Sequence, residues 1–413
     1  MAAEDEFERI AGDFRAIFEA AAPEAAARDR EHTLPADAVR ALATRGFGAL
    51  RIPQADGGPG LSLPQTARLW IEAAAADANL PQIFRGQFAF AEDRIHARDA
   101  SRQAWLDRFL AGEFVGNAWS ETGASTTSGA ATRLRSTPHG LRLEGRKHYT
   151  TGTLYADWAD VTATDDSGRT VAVIVPTADP GVSVSDDWDG FGQRLTGTGT
   201  AVFSDVPVDP AHVTELTGRF SYQTAHYQLV LLSVLAGIAA RAASDVALAV
   251  RERTRVYTHG LAPLARHDGQ ILAVVGQVRS TAFAAEAVVA HAAAALQRVS
   301  DLEHERGSAA HLAASAEAEL ATAQGQVVLS EQVPQALGRL FDALGASGTS
   351  RELGLDRHWR NARTVASHNP VVYKQRIIGD WAVNGTDPVR LWDVGITDRP
   401  AEQPDHTHEE VPA

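Results

Sequence analysis

The feature that most constrains this chain is a change of grammar along its length, from helical spacing to short β-type runs and back to long helices. Phe7, Ile10, Phe14, Ile17 and Phe18 recur at helical spacing with Asp and Arg between them, which predicts an amphipathic opening helix that Pro23 interrupts. Thr33 and Pro35 start a second helix that carries Val39 and Leu42 and stops near Gly46. After the Gly-rich loop 57–62, Ala-rich helical patterns run to about Leu110. From about Phe114 the pattern becomes β-branched and aromatic runs: Leu141 to Leu143, Lys147 to Thr151, Val161 to Ala163, Val171 to Val175, Val182 to Val184 and Thr200 to Phe203. Ser167-Gly168, Pro180-Gly181 and Asp189-Gly190 are their turns, and Pro207 and Pro210 close the β region. From Tyr222 to about Leu344 long Ala/Leu/Val helices return, broken near Gly260 and Gly307, as in a close-packed bundle. The expected class is α+β and multidomain: a helical domain over 1–112, a β-barrel-like domain over 113–212, a four-helix bundle over 213–396 and a loose tail over 397–413.

Composition narrows the function. A chain of 413 residues with net charge -14 presents an acidic surface, which argues against nucleic acid or an anionic membrane as partner. With no cysteine there is no disulfide framework, Cys-ligated cluster or thiolate zinc site. The opening Met1-Ala2-Ala3-Glu4-Asp5-Glu6 lacks the basic-then-apolar order of a signal peptide, so the expected location is the cytoplasm. The apolar run Leu229 to Ala240 is shorter than the ~20 residues of a membrane span and reads as a buried helix. His406 and His408 beside Asp405 lack a third ligand, so no metal is expected. Gly197-Thr198-Gly199 lacks the third glycine and the following helix of a dinucleotide loop, and Ser367-His368 has no nucleophile elbow to serve.

The stretch Gly116 to Gly129 is too polar for an ordinary core strand. Gly123 and Gly129 permit close backbone approach, and Ser120, Ser125 and Thr126 offer hydroxyls beside exposed N–H groups, which suits a ring system carrying carbonyls and phosphates. A Ser/Thr-rich hairpin without a ligand has the same composition.

With its helix–β–helix order, the chain resembles the acyl-CoA dehydrogenase fold from the 57–62 loop to about Asn384. Trp119-Ser120-Glu121-Thr122-Gly123-Ala124-Ser125-Thr126 is similar to that family's first flavin strand. Gly145-Arg146-Lys147-His148-Tyr149-Thr150-Thr151-Gly152 is similar to its second, and Trp188 to Thr200 continues the signature. The resemblance implies that Trp119, Ser120, Ser125, Thr126, Tyr149 and Thr151 bind flavin. It further implies a phosphate contact for Arg253 and Arg255, reached in a neighbouring subunit, and a homotetramer.

The C-terminal end departs from the dehydrogenases. Counting from Arg360-Asn361-Ala362-Arg363 puts Asn369 where their proton-removing Glu stands, and an amide is no general base. Arg363-Thr364-Val365-Ala366-Ser367-His368-Asn369-Pro370 is instead similar to the two-component flavin-dependent monooxygenases of this fold, of the dibenzothiophene monooxygenase kind. In them a His before a Pro-containing turn faces the flavin. Those relatives carry a second His near the position of Gln87, which is absent here. The resemblance implies an oxygenase component that takes reduced flavin (FADH2 or FMNH2) from a separate flavin reductase and uses O2 through a C4a-(hydro)peroxyflavin. Its substrate would be a small apolar aromatic of the indole or thiophene kind. His368, Ser120, Thr151 and Asn117 would manage the peroxide, with Asn369 against the cofactor, and a His of pKa ~6.5 would titrate near neutrality. The alternatives are a flavin-linked acyl-CoA dehydrogenase and a flavin-binding protein without turnover.

Overall fold

The structure is a computed structural model that describes residues 2–121, 130–216 and 219–389. Helix α1 (Ala2–Ala21) buries Phe7, Ile10, Phe14 and Phe18 and gives way to a tight turn at Ala22–Glu24, where Pro23 has no N–H for the helical ladder. After α2 (Ala25–Glu31), α3 (Ala36–Thr44) buries Val39 and Leu42 and ends at Gly46, whose φ of 85° lies in the left-handed region. The rings of Phe14, Phe18, Phe84 and Phe88 all meet Phe47, with centroids 5.4 to 5.9 Å apart. A reciprocal Ser62/Gln65 cap opens α4 (Leu63–Ala76), and α5 (Leu80–Ile83), α6 (Arg85–His96) and α7 (Arg102–Leu110) complete the helical layer.

The β region is one eight-stranded sheet. Its strands are β1 (Val115–Ala118), β2 (Arg133–Thr137), β3 (Gly140–Lys147), β4 (Trp158–Thr164), β5 (Thr170–Pro176), β6 (Val182–Val184), β7 (Ala201–Val208) and β8 (Val213–Glu215). They run in the order β6-β7-β3-β2-β4-β5-β8, with β1 parallel to β4. Five of the six expected runs lie in strands. The sixth, Lys147 to Thr151, keeps only Lys147 in β3, because the backbone turns out of the sheet at Tyr149, whose φ is 58°. Strands β2 and β8 carry no apolar alternation to read: β2 buries only Leu134, and β8 buries no residue.

The bundle comprises α8 (Gln223–Glu252), α9 (Gly269–Asp301), α10 (Ala309–Arg339), α11 (Asp356–Ala366) and α12 (Val371–Asn384). At Gly237 of α8, a Cβ would lie 2.5 Å from both the Ala74 Cβ and the Ile71 carbonyl of α4, so only glycine allows this crossing. By length and composition α8 and α9 are each long and apolar enough to cross a bilayer, although the expectation had found only a shorter run. Here α8 is mostly buried, packed on α4, α9 and α10. Arg360 of α11 pairs with Asp29 at 2.5 Å and donates to the Phe191 carbonyl, which fastens all three layers together. The tail 397–413 lies outside the described residues.

Candidate active site between sheet and bundle

The site is built outward from β1. Ala118 is fully buried in the sheet core, so by strand alternation Asn117 and Trp119 face the opposite way, toward α8. The start of α6 lies directly on this strand, since a Cβ at Gly86 would sit 3.0 Å from the Asn117 Cβ. Gln87 clips the two together: its Oε1 accepts from the Val115 N–H at 2.9 Å and its Nε2 donates to the Gly48 carbonyl at 3.0 Å. Both ends of that amide are spent on backbone, so Gln87 is a structural clip and leaves no group for chemistry.

Trp119 donates from Nε1 to Asp160 Oδ2 at 3.0 Å and meets the Tyr227 ring edge-on at 6.2 Å. Asp160 also receives both Arg219 Nη atoms at 2.7 and 2.8 Å, and the same guanidinium stacks 5.0 Å over the Trp119 ring. Arg85, the first residue of α6, lies 5.1 Å over the Tyr227 ring.

The loop between α11 and α12 brings His368 to this face. Gln326 Nε2 of α10 donates to the Asn369 carbonyl at 2.8 Å, and Asn369 Nδ2 donates to Gln228 Oε1 of α8 at 2.9 Å. Asn369 Oδ1 is then the acceptor for His368 Nδ1 at 3.2 Å, so the network assigns the proton to Nδ1 and leaves Nε2 as a base. The ring is solvent-accessible but surrounded by protein, as on the wall of a cleft. Burial, reinforced by the Arg85 charge, pushes its pKa down to about 3, against the Asn369 bond. The unperturbed value near 6.5 expected from the sequence is therefore replaced by a neutral imidazole through the physiological range.

Thr151 is buried, and its hydroxyl contacts Thr198 Oγ1 at 2.8 Å. Thr198 contacts Thr196 Oγ1 at 2.8 Å, and Thr196 donates to the Gln193 carbonyl. Since that chain ends on a carbonyl, each hydroxyl passes its proton down it, and Thr151 keeps only lone pairs to offer. The Ser120 carbonyl accepts from the His148 N–H, and among the described residues the Ser120 hydroxyl and the Asn117 side-chain amide have no partner. Next to them Lys147, fully buried, ties Glu121 at 2.6 Å. Burial opposes the Glu121 carboxylate, but Lys147 and the Thr132 and Ala131 N–H groups outweigh it and hold its pKa at about 2.

Tyr149 stands 52% exposed against Trp188. Ser125 and Thr126 lie outside the described residues. Arg253 and Arg255 are not part of the cluster: they follow the far end of α8, about 40 Å along the helix from Tyr227 at 1.5 Å per residue. Arg253 spends its donors on the Leu344 and Arg255 carbonyls and the Ser347 hydroxyl. Reading the sequence missed Asp160, Arg219, Gln228, Arg85 and Tyr227. Arg85 had a legible signal, a lone cation among Phe84, Phe88 and Phe90 with no carboxylate three or four residues away.

Profiles of the acyl-CoA dehydrogenase N-terminal, middle and C-terminal domains match residues 4–113, 117–206 and 229–373 in that order. The chain belongs to the acyl-CoA dehydrogenase family. Within it, the chain is similar to the probable FMNH2-dependent monooxygenase SfnC of Pseudomonas putida, 27% identical over 362 residues that span 84% of this chain and 88% of that protein. It is likewise similar to a dibenzothiophene monooxygenase of Rhodococcus erythropolis, 28% identical over 368 residues that span 84% and 87%. The fold superposes on TdsC from Paenibacillus sp. A11-2 in complex with FMN and indole, with a TM-score of 0.81, 29% identity, and 94% and 99% of the two chains covered. These likenesses identify an oxidoreductase of the flavin-dependent monooxygenase type.

Proposed function

We propose that this chain is the oxygenase component of a two-component monooxygenase that takes reduced FMN from a separate reductase and oxygenates a small aromatic or heteroaromatic substrate. The observation that carries this reading is His368. Where a dehydrogenase needs a carboxylate, this chain has an amide committed to Gln228 and His368, and beside it a neutral imidazole whose Nε2 has no partner among the described residues. An amide cannot take an α-proton from an acyl thioester, which disfavours the dehydrogenase reading.

The residues present fit a flavin. The Ser120 hydroxyl and Asn117 amide, without partners among the described residues, suit the polar edge of the ring. The Thr151 hydroxyl, able only to accept, suits an N–H that a reduced flavin carries and an oxidised one lacks. When bound, reduced flavin supplies the two electrons that divide O2 between product and water. His368 Nε2 accepts a hydrogen bond, or a proton, from the oxygen being activated, and Asn369 fixes the ring that does so. Trp119 and Tyr227 form an apolar wall for a planar substrate and keep water from the reacting atoms.

In this reading the protein works in the cytoplasm, beside a reductase that delivers flavin before air reoxidises it. It works as a homotetramer, an assembly supported by exposed apolar side chains such as Phe283 on α9 and Val372, Tyr373 and Val383 on α12. Arg253 and Arg255 would meet a flavin phosphate only across such an interface. The test is turnover of indole with FMN, NADH, a flavin reductase and 18O2, followed by mass spectrometry. One 18O atom per product molecule is expected. Unlabelled product, or reduction of bound FMN by an acyl-CoA, would overturn the assignment.

A further inference from the structure

Arg85 is 8% exposed, with its Nε fully enclosed, and among the described residues it forms no hydrogen bond or ion pair. Every other guanidinium of the site is matched: Arg219 holds Asp160 in a two-point pair beside the same rings. Outside the described residues, the segments 122–129 and 217–218 contain no Asp or Glu, and the carboxylates of the chain there all belong to 390–413. What Arg85 does touch is the face of Tyr227, a neutral phenol whose pKa burial pushes up to about 12. A cation–π contact offsets only part of the cost of burying a charge without an anion. Such a group persists when something outside the resting protein completes it.

The position of Arg85 says which ligand does so. It is the first residue of α6, whose start lies on Asn117, it shares Tyr227 with Trp119, and its charge reaches the His368 ring. It therefore sits on the wall shared by the imidazole and the two aromatics, where substrate is held. We propose that Arg85 is a substrate-binding residue that pairs with an oxyanion of the substrate, a carboxylate or sulfinate carried on the aromatic body. A planar guanidinium with five donors is built for two-point contact with such a group. The inference rests on the monooxygenase reading of the same site and narrows its substrate class from neutral to anionic aromatics.

The unmet charge also makes a prediction about the resting protein. Arg85→Met removes a buried unpaired cation and replaces it with an apolar chain of similar length, so the ligand-free variant folds and melts at or above the wild-type temperature.

The test is calorimetric titration of the FMN-loaded wild type, Arg85→Met and Arg85→Lys with indole, indole-3-carboxylate and methanesulfinate. The carboxylate is expected to bind the wild type roughly tenfold to hundredfold more tightly than indole, the range of one charge-assisted contact. That preference is lost in Arg85→Met and partly kept in Arg85→Lys, while FMN affinity stays the same in all three. If the carboxylate has no advantage over indole in the wild type, the oxyanion assignment is overturned while the aromatic site stands. If FMN affinity falls with Arg85→Met and the carboxylate preference remains, the anion belongs to the flavin and the proposal is overturned. If only methanesulfinate binds, and Arg85 is required, the oxyanion contact is supported and the aromatic reading falls. Binding by none of the three overturns it.

Discussion

Asp160 is the joint on which the aromatic wall depends, because one carboxylate receives both Nη atoms of Arg219 and the Trp119 indole N–H. The side chains of Arg219 and Asp160 are 3% and 5% exposed. At an effective dielectric of about 20, two unit charges some 4 Å apart interact by roughly 4 kcal/mol. Removing one partner of a buried pair costs about 3–5 kcal/mol, since the remaining charge stays enclosed without compensation. Asp160→Asn keeps the shape and an acceptor for Trp119, and so isolates the loss of charge. We expect it to destabilise by about 3–5 kcal/mol and to weaken FMN binding several-fold as the Arg219 guanidinium leaves the Trp119 face. Asp160→Leu with Arg219→Met removes both charges and should recover most of that stability. The assay is a double-mutant cycle in urea of wild type, Asp160→Leu, Arg219→Met and the two together, with Asp160→Asn beside it, followed by circular dichroism on the same transition in all five proteins, with FMN titrations alongside. A change below about 1 kcal/mol for Asp160→Asn, with additive single variants, would refute the reasoning.

His368→Ala should fold and bind FMN but release consumed O2 as hydrogen peroxide, with product formation lowered about 10²–10⁴-fold; coupled turnover near the wild-type rate would make the imidazole structural. Because the His368 pKa lies at about 3, no ionisation from this group should appear in the pH–rate profile between pH 5 and 8, and a wild-type ionisation near 6.5 that vanishes in His368→Ala would contradict the geometry. Thr151→Ala should weaken reduced FMN more than oxidised FMN, by about 1 kcal/mol, which parallel titrations under anaerobic and aerobic conditions measure. Burial pushes His226, without a hydrogen-bond partner on either nitrogen among the described residues, down to about 4, so between pH 6.5 and 4 the unfolded chain binds a proton that the folded chain refuses. Stability should fall across that window by up to about 3 kcal/mol, and His226→Phe should abolish that part of the acid loss; an unchanged loss in the variant counts against it.

How much of this was readable in the sequence follows from what each signal depends on. The layer order was legible because periodicity is local: Phe7 to Phe18 and Val171 to Val175 announce helix and strand without any partner. Strand β2 was not legible, because a strand that buries only Leu134 has no alternation to show. His368, Asn117, Trp119 and Ser120 were read from motif resemblance, and in the structure Trp119 meets Tyr227 while the Arg85 over that ring acts on His368. The partners that decide their chemistry come from elsewhere in the chain: Gln228 is 141 residues from Asn369, and Asp160 is 41 from Trp119. No window along the sequence contains both members of either pair.

The same dependence explains the state of His368. An imidazole alone in a loop would titrate near 6.5, and only packing reveals that burial, with the nearby Arg85 charge adding to it, keeps this one neutral. Asn369 then decides which nitrogen carries the remaining proton. A neutral ring with an unprotonated Nε2 can take a proton from an activated oxygen species but cannot give one. The charge of Arg85, unpaired among the described residues, thus has two consequences at one place: it adds to the burial that keeps the imidazole deprotonated, and it leaves a cation for an anionic substrate to neutralise. Binding such a substrate would cancel the charge that depresses His368 and raise the imidazole's affinity for a proton at the moment one must be accepted. In this arrangement substrate and base are coupled through a single guanidinium, so Arg85→Met should raise the His368 pKa in the substrate-free enzyme. Titration of the His368 ring resonances by NMR reads that shift directly, and an unchanged pKa in the variant would break the link.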